Sequence, residues 1–470
     1  MGVLALGWAA GYGVAQLSSG LVTSSSATRV TQIAATSLIF VGVLFFLFRV
    51  ASGDWFHPLA FPLAYAAVAL IGPVLFILST GTSIGTSTRE DITSTLIGVF
   101  VLTVAGMAAG SVFSFVLFRR RGGWGAEAGP ARVLDYERLR RLGRWIILVT
   151  IVLRASEVPE AFAHPYGFGV LIYNVDALAR AATNILVFTA VILISISNAQ
   201  LHRRILLASD YALFGAFVIF TLLTGSRGEL VGPALFALYV HHITVRRMRL
   251  WAGILLGLVV VAVFTAVGQY RVGQGLPTDS TTLASRALLP VSTPVLVTSN
   301  LIDRVPAHHP FSDGSTYLES IKRQFPGPIA VALFGPPRAT GTFVYRQLIG
   351  YTSTNSGFAF SFPSESYLNF GLAGSFGVAA LLGLLIGYAY RRQSPRPTRA
   401  LHVLYPILIA SLPLSLRSDA VEQVKTVLYP MIILMLLFQF ATVRKPVRRQ
   451  IATAPGPAEA GRGTDVRAGV

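Results

Sequence analysis

The chain has 470 residues, of which 53% are hydrophobic and 12% charged, and its mean hydropathy is +0.64. Length alone would favour about three soluble domains; this composition excludes them and points to a membrane-embedded chain. The net charge of +18 follows the loops between apolar runs, so nucleic-acid binding is not needed to explain it.

A helix needs about 20 apolar residues to cross the hydrocarbon core. In chain order such runs lie near 4–22, 31–50, 59–79, 93–118, 142–156, 178–198, 207–224, 229–245, 250–269, 367–390, 400–416 and 424–443. The N-terminus lacks a basic n-region and a small-residue cleavage site, which reads as an uncleaved first helix. These spans predict an all-α, polytopic membrane protein of about 12 transmembrane helices. Residues 1–269 form an N-terminal bundle of about nine helices, 270–366 a large external loop, 367–443 three C-terminal helices, and 444–470 a disordered basic tail.

Orientation follows from the connections. Arg119–Arg144, His202–Arg204, Arg246–Arg249, Arg391–Arg399 and the tail from Arg444 fall on one side with both termini. Excess Lys and Arg make that side cytoplasmic. It carries 24 Lys and Arg with 7 Asp and Glu, leaving 14 and 13 outside.

The external segment is too long for a simple connector. Its aromatic residues (Phe311, Tyr317, Phe325, Phe334, Phe343, Tyr345, Tyr351) argue against disorder. Leu283–Ile302 and Ile329–Phe334 are apolar enough to lie as interfacial or re-entrant pieces. The chain contains no Cys, which removes disulfides and thiolate chemistry. It also has no D-x-D and no metal-type His spacing, so no metal site and no cofactor are expected.

Arginines mark the outer ends of several spans. The turn Gly225-Ser226-Arg227-Gly228-Glu229 joins the seventh and eighth; Arg271 closes the ninth, and Arg417-Ser418-Asp419 closes the eleventh. The loop adds Arg286, Arg304, Lys322, Arg323, Arg338 and Arg346. Guanidinium groups suit phosphate oxygens through their fork of donors. Arg227, Arg271, Arg417, Arg286, Arg304, Arg338 and Arg346 are therefore the candidate diphosphate ligands. A proton acceptor is also required. Glu365, where the loop meets the tenth span, is the first candidate. Glu229 and Asp419 are expected to orient the adjacent arginines, and His308 and His309 form the alternative.

The stretch E-x-x-x-N-F-G-x-x-G (Glu365, Asn369, Phe370, Gly371, Gly374), the Gly225–Glu229 turn and the long loop before the last helices resemble the Wzy-type oligosaccharide repeat-unit polymerases of O-antigen and capsule synthesis. Arg346 and Gly357 also fit the R-x10-G spacing of some members. The resemblance implies a GT-C-like fold in the bacterial cytoplasmic (inner) membrane and a metal-independent glycosyltransferase. Donor and acceptor would be undecaprenyl-diphosphate-linked oligosaccharides at the outer leaflet, with membrane lipids and a chain-length regulator as further partners. The growing chain would leave its lipid diphosphate and join the nonreducing end of a new lipid-linked unit.

An O-antigen ligase or another lipid-phosphate-sugar glycosyltransferase shares this chemistry. A lipid-linked oligosaccharide flippase would bury ionisable residues mid-span; here the exceptions, Arg154, Arg180 and Asp210, lie near span ends.

Overall fold

The structure, a computed structural model, describes residues 54, 56–60, 62, 90–118, 132–163, 176–202, 204–223, 227–248, 294–325, 327–336, 338–350, 360–394, 397–415 and 418–444. In hydrocarbon every backbone N–H and C=O needs a partner inside its own segment, so apolar runs become helices. They are α1 (Glu90–Leu117), α2 (Tyr136–Ala163), α3 (Asp176–His202), α4 (Ala208–Leu223) and α5 (Val231–Val240). A 3-10 turn, Arg227–Leu230, leads into α5, and a π turn, His241–Val245, extends it. Three short helices follow: α6 (Ser315–Lys322), α7 (Gly327–Phe334) and α8 (Gly341–Leu348). The chain closes with α9 (Phe362–Arg392), α10 (Leu404–Ser415) and α11 (Ala420–Phe440).

Eight of the expected spans thus coincide with helices. Those at 4–22, 31–50 and 250–269, and nearly all of 59–79, lie outside the described residues. Among the described residues, four helical stretches are long and apolar enough to cross a membrane: Thr95–Leu117, Ala182–His202, Phe362–Arg392 and Ala420–Phe440. The chain is a multi-pass membrane protein. Ile432, Met435, Leu436 and Phe440 on α11 point outward, as a lipid-facing surface requires.

Two boundaries differ from expectation. The fifth span was expected at 142–156, but α2 runs from Tyr136 to Ala163. The tenth was expected to begin at residue 367, but α9 begins at Phe362, capped by the Ser361 hydroxyl. Glu365 is therefore inside a helix rather than at a loop exit. α9 is also broken: Gly371 has φ 63° and ψ −150°, which divides a half-helix at 362–370 from the longer run beyond.

α1 packs along α9 with small residues at the seam. A Cβ on Gly106 or Gly110 would strike the Phe376 or Ala380 carbonyl; one on Gly383 or Gly387 would strike the Met107 carbonyl or the Ser114 hydroxyl. Ser111 Oγ donates to the Gly383 carbonyl at 3.2 Å. Without a hydrophobic drive between helices in lipid, such close backbone approach supplies the attraction.

The basic connections meet at one end. Arg391 donates to the Phe118 carbonyl at 2.6 Å, and Tyr136 to that of Pro397 at 3.2 Å. A two-stranded antiparallel ribbon there pairs β1 (Arg132–Leu134) with β2 (Thr442–Arg444). Helices α6 to α8 lie at the opposite end, against the starts of α9 and α11.

Gly110→Leu should destabilise the protein by about 1–3 kcal/mol or more, because nothing at that seam can yield except backbone. Gly377→Ala, where a Cβ meets nothing within 4 Å, should leave the thermal midpoint in detergent unchanged.

Candidate active site

The polar residues opening α9 fold inward. Glu365 is fully buried, and both carboxylate oxygens are occupied. Thr316 Oγ1 on α6 donates to Oε1 at 2.8 Å, and the Ala420 backbone N–H, first in α11, donates to Oε2 at 2.6 Å. Asn369, one turn on, donates from Nδ2 to Thr316 Oγ1 at 2.7 Å and to the Glu365 carbonyl at 2.8 Å. A buried anion is tolerable only with such donors, and the α11 N-terminus adds its dipole. Glu365 is thus a junction of α6, α9 and α11.

Asp419 is the residue before α11. Its carboxylate makes no capping bond; Oδ2 instead accepts from Thr342 Oγ1 on α8 at 2.7 Å. Asp419 and Thr342 line a cavity of about 810 Å³ between α6, α7, α8 and the start of α11. Lys322, Arg323, Arg346 and Lys425 also line it, with Glu319 and Glu422, giving four cations against three carboxylates. Glu319 receives Arg323 Nε at 3.1 Å and Lys322 Nζ at 3.6 Å. Burial opposes its charge, but the Arg338 backbone N–H, Arg323 and Lys322 outweigh that and hold its carboxyl below the usual range. Lys425 pairs with Glu422 at 2.9 Å. Phe325, Val331 and Phe343 form apolar walls. The volume suits a drug-sized or larger ligand, and the lining suits one with an anionic head.

Of the expected phosphate ligands, Arg346 lines this cavity. Arg338 is exposed nearby, where its carbonyl accepts from Arg323 Nη2 at 3.4 Å. Arg304 is committed elsewhere, bonded to the Leu348 carbonyl at the end of α8. Arg227 opens the 3-10 turn before α5. Arg271, Arg286 and Arg417 lie outside the described residues. His308 is exposed and His309 partly so, in the turn after the helical residues 294–304; His309 Nδ1 lies 2.6 Å from the Pro310 carbonyl.

Among the described side chains, Glu229 takes a partner from another helix. Its carboxylate pairs with Arg154 on α2, a fully buried side chain that also donates to Asn184 Oδ1. Asp210 is likewise buried, taking Arg144 Nε at 2.6 Å and Asn198 Nδ2 at 2.6 Å. Of the three ionisable residues near span ends, Arg154 and Asp210 are therefore neutralised locally, and the Arg180 side chain lies outside the described ones. Sequence reasoning had no role for Thr316, Thr342, Glu422 or Lys425. For Arg154 the signal existed, since an arginine inside an apolar run needs a specific partner.

A family model described as O-antigen polysaccharide polymerase Wzy matches residues 17–449. No curated protein and no solved structure matches the chain.

Removing either partner of the Arg154–Glu229 pair should have unequal effects. Glu229→Leu strips a fully buried guanidinium of its carboxylate and should lower stability by about 3–5 kcal/mol. Arg154→Leu should cost less, because Glu229 retains some exposure, and the double variant should recover part of the loss. Thermal midpoints of the three purified proteins check the ordering.

Proposed function

Because the chain belongs to the O-antigen polysaccharide polymerase Wzy family, it is a membrane enzyme that polymerises O-antigen repeat units, and we propose that the cavity beside Asp419 is where the transfer occurs. The observation that carries this reading is the convergence in one cavity of four cations, three carboxylates and apolar walls. The donor would be the growing chain on undecaprenyl diphosphate at the outer face of the cytoplasmic membrane, and the acceptor a new lipid-linked repeat unit.

In the proposed step, a hydroxyl at the nonreducing end of the acceptor attacks the anomeric carbon of the donor. The C–O bond to phosphate breaks, its electron pair leaves with the lipid diphosphate, and the hydroxyl proton passes to a carboxylate. Arg323, Arg346, Lys322 and Lys425 would stabilise the departing charge, the task a metal ion performs elsewhere. We assign the proton to Asp419, which lines the cavity and keeps Oδ1 for a further partner beside the Thr342 bond. Glu365, with both oxygens occupied by Thr316 and Ala420, would hold the start of α11 in place. Metal independence follows from this use of fixed cations, and turnover should persist in chelator.

With purified protein and a lipid-linked repeat unit, Asp419→Asn should lower turnover by about 10²-fold or more, the usual size of a general-base contribution. Arg346→Ala should also lose turnover, and Arg346→Lys should restore little, because a point charge lacks the fork. Normal turnover in Asp419→Asn, with loss in a stable Glu365→Gln, would return the base to Glu365. Loss in EDTA with recovery on adding Mg²⁺ would remove the cations from the central role.

A further inference from the structure

α6 is turned inside out for a water-facing helix. Its polar residues Thr316, Glu319, Ser320 and Lys322 are buried, with Glu319 at 2% and Lys322 at 4% exposure, while Leu318 and Ile321 stand at 51% and 50%. α7 exposes Ile329, Val331, Leu333 and Phe334, burying only Ala330. α8 exposes Phe343. Val331 and Phe343 face the cavity they line, but Leu318, Ile321, Ile329 and Leu333 do not line it, and apolar exposure on this scale marks a partner rather than bulk water.

What covers it is indicated by its continuity. The Tyr317 ring of α6 stacks on Phe370 of α9 with centroids 6.4 Å apart. Phe370, Leu372 and Phe376 are themselves exposed along that membrane-spanning helix. The apolar side chains of a lipid-facing helix and of α6 thus adjoin through the Tyr317–Phe370 stack. Arg323, exposed at the end of α6, supplies the cation that such a surface presents to anionic headgroups.

We propose that α6 and α7 are seated in the outer leaflet of the bilayer, with Leu318, Ile321 and Leu333 in contact with acyl chains. α6, expected in the external loop, then belongs partly to the membrane beside the interfacial piece expected at Ile329–Phe334. The cationic cavity behind them opens at headgroup depth, where an amphipathic anionic lipid reaches it sideways without leaving the bilayer. This holds whichever carboxylate takes the proton.

The chain has no Cys, so single-Cys variants report one position each. Leu318→Cys, Ile321→Cys and Leu333→Cys, labelled with bimane in the full-length protein, are reconstituted in phosphatidylcholine–phosphatidylglycerol vesicles. Leu436→Cys on α11 serves as the lipid-facing reference and Arg338→Cys as the aqueous one. Quenching by doxyl-labelled lipid should match Leu436→Cys at all three positions, with little quenching by iodide. Iodide quenching equal to that at Arg338→Cys would overturn the proposal. So would protection from both quenchers that disappears on diluting the protein in lipid, which would make the occupant a second copy.

Discussion

The hydrogen bond from the Ala420 N–H into the Glu365 carboxylate determines where α11 begins, and much of the candidate site depends on it. An anion without solvent contact needs donors that cannot leave. Here they are a hydroxyl on α6 and the first amide of a helix whose dipole favours negative charge. Because Asp419 immediately precedes that amide, its carboxylate is aimed by the same bond. Thr342 then ties it to α8. Helices α6, α8, α9 and α11 are thereby tied together, and α6, α8 and α11 line the cavity.

The E-x-x-x-N-F-G-x-x-G stretch has a physical reading as instructions for a broken helix. Asn369 lies one turn after Glu365 and closes the network through Thr316. At Gly371 the backbone takes a positive φ that a Cβ would resist, and the Phe311 ring packs on the space a side chain would need. The interruption frees carbonyls, and the preceding loop supplies their partners. Ser312 N–H donates to the Leu368 carbonyl at 3.0 Å, and Asp313 N–H to that of Asn369 at 3.1 Å. Irregular backbone at membrane depth is tolerated only when buried in protein this way. Gly374 lets the chain resume beside the Ser366 carbonyl and Phe370, where a Cβ would clash.

The spans were legible because twenty apolar residues have few alternatives to a buried helix. The start of α9 was not. Hydropathy assigns Ser364, Glu365 and Ser366 to the external loop, yet with Asn369 they are buried, because Thr298 partners Ser364, Tyr317 partners Ser366, and Thr316 partners both Glu365 and Asn369. The cations Lys322, Arg323 and Arg346 were visible as charges in the long loop, but their convergence depends on short helices that no periodicity over eight residues announces. Lys425 was lost within an apolar span. Arg154 was judged by its nearness to a helix end, whereas its environment is set by Glu229, seventy-five positions away.

The small β1–β2 ribbon constrains the whole chain's path. Strands that share hydrogen bonds must share an aqueous compartment, so residues 134 and 442 lie on the same side. The crossings between them must therefore be even in number. If α2, α3, α4, α5, α9, α10 and α11 each cross once, as the expected spans have it, the stretch between residues 246 and 361 must contribute an odd number, as the single expected span at 250–269 would. Six backbone residues thus impose a parity on the topology that is independent of hydropathy and of the positive-inside rule.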